Sequence, residues 1–318
     1  MESDKNKKMR VLFVSSGNSH YGIIPFIKAQ GESLIKEGID LEYYLARGKG
    51  FKGYLKNIKL LKEKVKENNY DVIHAHYGMT GMLCLFTFSR KPIVLSVMGS
   101  DAYGSFDIHG KRIFKSYFEI FLTQITLVFA SQIIVKSKNI YNLIPYKRKC
   151  KIIANGVNFK SFKPNTNKLE INTVLWLANP DDPRKNFELI KNAMNLIDET
   201  ELKLINPYPI QHSEFSSYLN KASVFVLTSY NEGSPNVVKE AMACNIPVVS
   251  TDVGDVKEVI SNTKGCYISN FTPQDLAGKI KMALEFGKRT KGREDIKHLE
   301  STVVAREIIK IYMKALKK

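Results

Sequence analysis

"YNEGSPNVVKEAMACNIPVVSTD", residues 230–252, sets two glutamates around a Gly-Ser-Pro-Asn turn and follows them with an apolar run, Ile246 to Val249. Ser234 before Pro235 predicts a helix start, because serine caps free amides and proline fits the first helical position. The helix runs through Val237, Val238, Ala241 and Met242, and Asn245 and Pro247 end it. Residues 246–250 then read as a short buried strand. Glu232 falls in the loop and Glu240 on the helix, where Asn236 and Glu240, one turn apart, project from one face. A helix N-terminus favours an anion through its free N–H groups and its dipole. Carboxylates beside such a start suit a ligand that has both phosphates and hydroxyls, as a nucleotide sugar does. A capping glutamate and a surface glutamate fit the same pattern, and the local sequence does not separate the two.

Outward from this stretch, strands and helices alternate. Strands are predicted at 10–16, 39–46, 70–76, 92–98, 131–137 and 150–155, and again at 171–179, 202–206, 222–229, 246–252 and 265–269. Helices are predicted at 26–37, 53–67, 111–129 and finally about 299–316. The alternation predicts an α/β fold of two doubly wound parallel sheets, which bind ligands beyond the carboxyl ends of their strands. "ANGVNFKSFKP", 154–164, reads as the linker. Neither sheet opens with G-x-G-x-x-G or a P-loop. The first strand leads instead into "SSGNSHYGIIPF", where Gly17 and Gly22 supply a flexible turn.

A length of 318 residues with 44% hydrophobic content supports two cores. No apolar run reaches a membrane span, and the charged start "MESDKNKKMRVLFVSS" reads as the approach to a first strand rather than a signal peptide. Cys84, Cys150, Cys244 and Cys266 are far apart in sequence and predict reduced, mostly buried thiols in a cytoplasmic protein. The net charge of +17 is uneven: residues 1–165 hold 27 Lys/Arg against 12 Asp/Glu. A basic first half suits nucleic acid, anionic lipid or an anionic substrate, or is plain solvated surface. No nucleic-acid-binding motif accompanies it.

"EGSPNVVKEAMACNIPVVSTDVGDVKEVI", 232–260, resembles the donor-site signature of the family 4 retaining glycosyltransferases. Weaker similarity, in the family's order, covers "YDVIHAHYGMTG" (70–81), "LSVMGSD" (95–101), "IIANGVNFKSFKP" (152–164) and "DPRKNFELIKNA" (182–193). The resemblance implies the GT-B fold, two Rossmann-like domains facing each other across a cleft. It divides the chain into an acceptor-side domain at 1–160, a donor-binding domain at 161–298 and a terminal helix, 299–318, packing back on the first domain. It implies transfer of a sugar from a UDP- or GDP-linked donor, with no other cofactor and no metal, to a cell-surface glycan or lipid-linked precursor. Glu232 would accept hydrogen bonds from the sugar. The backbone from Gly233 through Ser234, Pro235 and Asn236 to Val237 would hold sugar and diphosphate, with Gly17 and Gly22 also on the donor side. Glu240 would bind the ribose, and Lys185 would neutralise the leaving diphosphate, where charge builds as the glycosidic bond breaks.

The chain departs from the family pattern at three places. Pro180 stands where an arginine is common, leaving Arg184 as its substitute; Met98 stands where a histidine is common; and the "GNSHYG" loop lacks paired glycines. His20, Tyr21, Asp101 and His109 are the acceptor-side candidates, and Tyr208 in "INPYP" is the candidate to stack on the base. The departures keep open a catalytically silent subunit that partners another transferase, and a nucleotide-sugar epimerase shares the fold. In residues 52–66, Leu55, Ile58, Leu61 and Val65 form a helical stripe expected to pack on the first sheet. Lys52, Lys56, Lys59, Lys62, Lys64 and Lys66 are left to face solvent or the anionic inner face of the plasma membrane.

Overall fold

Continuous runs of Val, Ile and Leu are what strands covered on both faces require, and here they build two parallel sheets. The structure is a computed structural model and describes residues 8–19, 22–48, 50–105, 112–165, 172–197 and 202–317. The chain divides into two compact units. The first holds residues up to 105, 112–155 and 301–318, and the second holds 156–300.

In the first unit six parallel strands, β1 (Arg10–Ser16), β2 (Asp40–Ala46), β3 (Val72–His76), β4 (Ile93–Val97), β5 (Gln132–Val135) and β6 (Cys150–Ile152), lie in the order β2-β1-β3-β4-β5-β6. The helices are α1 (Pro25–Lys36), α2 (Gly50–Glu67), α3 (Gly78–Leu85), α4 (Ser100–Tyr103), α5 (Phe114–Phe129) and α6 (Lys138–Leu143). One face of the sheet packs Leu12, Ile73, Leu95 and Ile133 against Leu61 and Val65 of α2, Leu83 of α3 and Leu127 of α5. Of the expected α2 stripe, Leu61 and Val65 are buried and Ile58 packs beside them, whereas Leu55 is half-exposed. Lys64 is not a free surface cation, because its ammonium pairs with Glu42 at 2.7 Å. The side chain of Lys52 lies outside the description.

The other face of this sheet is covered by α1 and by the last helix of the chain, α13 (Ser301–Leu316), which buries Ile308, Ile311, Tyr312 and Ala315 there. The Tyr312 hydroxyl lies 2.6 Å from His74 Nδ1, and Ser96 Oγ lies 2.8 Å from Nε2 of the same ring. His74 stacks on His76 at 4.3 Å. Burial holds His74 well below the ordinary histidine range and lowers His76 to about 3, so both rings are neutral struts at physiological pH.

The second unit carries β7 (Thr173–Leu175), β8 (Lys203–Ile205), β9 (Val224–Leu227), β10 (Val248–Thr251) and β11 (Tyr267–Ser269) in the order β11-β10-β9-β7-β8. Its helices are α7 (Phe187–Met194), α8 (Phe215–Lys221), α9 (Asn236–Ala243), α10 (Val256–Ile260), α11 (Pro273–Phe286) and α12 (Gly292–Asp295). All eleven predicted strands are present; β1 spans the predicted residues and the others are shortened at one or both ends. In each sheet the strand order reverses once, beside β1 and β3 in the first and beside β7 and β9 in the second. Such points open a crevice at the carboxyl edge, because successive connections leave on opposite faces.

Candidate functional site

The loops that follow β7 and β9 bring the candidate residues of the second unit together. After β7, a short turn at Pro183–Lys185 ends in Asn186, whose φ of 53° reverses the chain into α7. The turn is tied to the end of β9. The buried Trp176 indole donates to Thr228 Oγ1 at 2.9 Å, the Thr228 hydroxyl donates to the Lys185 carbonyl at 2.8 Å, and Tyr230 N–H donates to the Arg184 carbonyl at 2.9 Å. Lys185 is thereby aimed at the loop after β9, where its ammonium meets Glu232 at 2.6 Å. Ser229 Oγ donates to the same carboxylate oxygen at 3.0 Å. Both members of the pair retain some solvent access, so an arriving anion can compete for the lysine. Arg184 turns to Asp182 on its own turn, at 2.7 Å, and holds that carboxyl below its usual range against the cost of burial.

The turn from Glu232 to Pro235 is fixed from behind. Gly254 has a φ of 62°, and a Cβ there would stand 2.9 Å from the Gly233 carbonyl oxygen and 3.1 Å from that of Glu232. Only glycine fits this approach. Ser234 does not cap α9 as the sequence suggests. Its hydroxyl donates to Asp255 at 2.8 Å, and the N-cap is Pro235. The reason is Lys239, which is fully buried and donates to Ser234 Oγ at 2.6 Å and to the Asp255 carboxylate at 2.8 Å. A buried ammonium needs such partners, and they take the serine from the helix end. The amides of Gly233, Ser234, Asn236 and Val237 line the start of α9; Pro235 contributes no N–H. The side-chain oxygen of Asn236 is buried with no hydrogen-bond partner.

Glu240, one turn further, is buried, and its carboxylate meets His212 Nε2 at 2.7 Å. His212 packs against Phe162 and Phe215, and the hydrogen bond to Glu240 raises its pKa above the ordinary histidine value. The structure therefore joins Lys185 to Glu232 and places Glu240 on the same helix that starts at their turn. His212, Lys239 and Asp255 are absent from the sequence reading. Lys239 carried a signal, since it sits in a run that is otherwise small or apolar. His212 carried none, lying 28 residues before its partner. Tyr208 is half-exposed.

Of the candidates in the first unit, Gly17 donates its N–H to the Ala46 carbonyl, and Gly22 closes a turn with Ser19 at a φ of 66°. Asp101 is buried and accepts from the backbone N–H groups of Gly78, Met98 and Gly99 at 2.9 to 3.1 Å, while burial raises its pKa. It splints the loop after β4 to the start of α3. A cavity of about 350 Å³ opens at the carboxyl edge beside β1, lined by Ser16, Asn18, Tyr77, Thr80, Asp101 and Glu119 among others. Met98 is buried. His20, Tyr21 and His109 lie outside the described residues. Among the described residues no cluster of three or more His, Cys, Asp or Glu side chains is arranged to hold a metal ion, and no helix is long and apolar enough to cross a membrane.

Two family models match the chain: "Glycosyl transferase 4-like" over residues 14–137 and "Glycosyl transferases group 1" over residues 208–285. Among curated proteins, an N,N'-diacetylbacillosaminyl-diphospho-undecaprenol alpha-1,3-N-acetylgalactosaminyltransferase of Campylobacter jejuni is 25% identical over 83% of this chain and 82% of its own. The capsular polysaccharide biosynthesis glycosyltransferase CapM of Staphylococcus aureus is 23% identical over 92% and 95%. Among solved structures, sucrose-phosphate synthase from Thermosynechococcus elongatus superposes with a TM-score of 0.79 at 17% identity, covering 98% of this chain and all of that one. HepE of Anabaena in complex with UDP superposes with a TM-score of 0.72 at 15% identity, covering 95% and 99%. With the two parallel sheets, these likenesses make the fold an α/β, two-domain GT-B fold.

Proposed function

We propose, from the premise that the chain belongs to the group 1 glycosyltransferases of the family 4 type, that it moves a sugar, with retention, from a nucleotide-linked donor to a glycan or lipid-linked acceptor of cell-surface polysaccharide synthesis. The observation that carries this reading is the 2.6 Å Lys185–Glu232 pair at the amide-lined start of α9. In the reaction the bond from the sugar C1 to the diphosphate oxygen breaks and its electron pair stays with the departing oxygen. The acceptor oxygen bonds to C1, and its proton leaves with the diphosphate. Lys185 and the amides of Gly233, Ser234, Asn236 and Val237 meet the charge that grows on the diphosphate, an interaction stronger in the transition state than in the ground state. Arg184 is the second cation of that turn. Glu232, released from Lys185 as the diphosphate arrives, accepts from hydroxyls of the transferred sugar, and Glu240 accepts from the ribose. The base is uracil or guanine, and no metal is required.

The cavity beside β1 is the acceptor side of this reading, with Asp101 as its splint; Gly17 and Gly22, in the loop after β1, are donor-side residues. The protein works in the cytoplasm, at the inner face of the plasma membrane. Exposed lysines of α2, namely Lys56, Lys59, Lys62 and Lys66, attract an anionic surface at about 1 kcal/mol each.

A mass-spectrometric screen of donor hydrolysis with several UDP- and GDP-sugars tests the proposal. Slow hydrolysis of one donor is expected, with Lys185→Ala lowering kcat more than it raises KM and EDTA having little effect. Nucleotide binding without hydrolysis or transfer would point to a silent subunit, and strong inhibition by EDTA would move the lysine's role to a metal.

A further inference from the structure

Helix α5 is amphipathic the wrong way round for a helix on a water-exposed surface. Toward the protein it buries Ser116, Thr123, Thr126 and Leu127, so only one of its four buried residues is a large apolar one. The small ones let it close on α3: a Cβ on Gly78 would meet Thr123 Oγ1, and one on Gly81 would meet Thr126 Cγ2. Outward it shows Phe114 (90% exposed), Tyr117, Phe118 and Phe121 (59% each for the two phenylalanines), Val128 and Phe129 (65%). At 100° per residue these six fall within an arc of about 120°, on a helix about 24 Å long. A surface helix ordinarily turns its apolar stripe to the core and its polar face to water, and scattered exposed apolar residues are normal where a stripe of six aromatic and branched side chains is not.

The rim of this stripe is basic. At the N-terminal end the Arg112 guanidinium lies 5.3 Å from the Tyr117 ring. At the C-terminal end Lys149 donates to the carbonyls of Val128 and Ala130 at 2.7 and 2.9 Å, on the same turn as the exposed Lys147 and Arg148. On the flank, α3 packs between α2 and α5. Phe88, in the turn after α3, is 78% exposed, with Lys62 of α2 5.9 Å from its ring. The one acid on α5, Glu119, is paired with Lys115 at 3.4 Å.

We infer that α5 is a membrane-inserting element. It lies in the plane of an anionic bilayer with its aromatic stripe at the headgroup–acyl boundary and the surrounding cations against the lipid phosphates. Aromatic side chains favour that depth, and an in-plane helix combines apolar burial with attraction to anionic lipid. Charge complementarity selects a bilayer as the occupant, because the cations form a rim around an apolar centre rather than a scatter. The inference rests on the attachment proposed above and changes its character: the lysines of α2 supply attraction, and α5 supplies insertion that salt does not screen.

Flotation with vesicles of mixed phosphatidylglycerol and phosphatidylcholine tests it on the full chain. The wild type is expected to float, less at high salt but still measurably. Phe118→Ser/Phe121→Ser is expected to partition at least about tenfold more weakly, since burying two phenyl rings even in part is worth that factor. Its melting temperature and donor hydrolysis are expected to match the wild type. In a Phe118→Trp variant, lipids brominated in the acyl chains should quench the new emission, with the single native tryptophan, buried Trp176, as a constant background. Unchanged flotation of the serine pair, or no quenching, overturns insertion. If Lys59→Gln/Lys62→Gln/Lys66→Gln then loses all binding, the attachment by lysines alone stands. No wild-type flotation at low salt overturns both. A wild-type dimer in sedimentation that the serine pair dissociates overturns insertion and makes a second copy the occupant of the stripe.

Discussion

Lys239→Met removes the cation of the buried Lys239–Asp255–Ser234 cluster while keeping most of its volume. Lys239 is about 1% exposed and Asp255 8%, so the aspartate is left charged, out of water, and facing only the Ser234 hydroxyl among the cluster's donors. Breaking a buried pair by removing one partner costs about 3–5 kcal/mol. At a urea slope of about 2 kcal/mol/M this moves the midpoint down by about 1.5–2.5 M. Trp176 makes the assay specific, because it is the only tryptophan and sits in the core of the same unit. Its fluorescence reports this unfolding whatever the first unit does. Lys239→Met/Asp255→Leu removes both charges and leaves only the Ser234 hydroxyl wanting, a cost of about 1–3 kcal/mol. The double variant is therefore expected to be more stable than Lys239→Met alone. The cluster also anchors the turn that carries Glu232, so Lys239→Met should slow donor hydrolysis at temperatures where it remains folded. A midpoint within about 0.3 M of wild type, or losses in the double variant equal to the sum of the two singles, would refute the account of the pair.

Glu240→Ala is expected to weaken free nucleotide and nucleotide sugar alike, by about 1.5–3 kcal/mol in titration calorimetry, as the ribose is common to both; unchanged nucleotide affinity removes the ribose role. Glu232→Ala should lower turnover and blur discrimination among donor sugars while leaving free nucleotide binding nearly intact, and equal losses for both ligands would count against a contact to the sugar. His212 should make stability fall with rising pH. Its hydrogen bond to Glu240 raises its folded pKa above the unfolded value, so its contribution is complete below about pH 6.5 and is lost as pH climbs through the raised value. With the ring half-exposed the effect stays under about 1 kcal/mol; His212→Gln should flatten that part of the melting-temperature profile, and an unchanged profile refutes the coupling.

The inner strands were legible because parallel strands covered on both faces are written as apolar runs, as in β1, β5 and β9; the edge strands β2, β6 and β8, which carry Glu42, Lys151 and Lys203 and stay partly exposed, were legible from the alternation with helices. The turn bearing Glu232 was legible for a different reason: its glycine, serine and proline constrain the backbone locally, within a few residues. What misled was a partner far along the chain. The local rule gives Ser234 to the helix end, yet Asp255, 21 residues on, and buried Lys239 hold its hydroxyl instead. A capping bond is worth about 1 kcal/mol, whereas leaving a buried ammonium short of a partner costs several times that, so the distant cluster wins. The same asymmetry applies to Asp101, the acceptor-side candidate, whose carboxylate accepts from three backbone amides while it lines the cavity beside β1.

The burial of Lys239 is written in the residues around it. Helix α9 buries every residue from Val238 to Ala243, so no face of it is turned to water over that span. Its sequence already says so: between Val237 and Ile246 the only charged residues are Lys239 and Glu240, set among valine, alanine, methionine and cysteine. A helix apolar all round is a buried helix, and a charge on a buried helix must have a partner or a ligand. Adjacent residues stand about 100° apart on the helix, so Lys239 and Glu240 face different surroundings and need different partners. Lys239 finds Asp255 and Ser234 and becomes structural. Glu240 pairs, among the described residues, with the half-exposed His212 through one carboxylate oxygen, which is why the proposed ribose contact is given to Glu240 and not to Lys239.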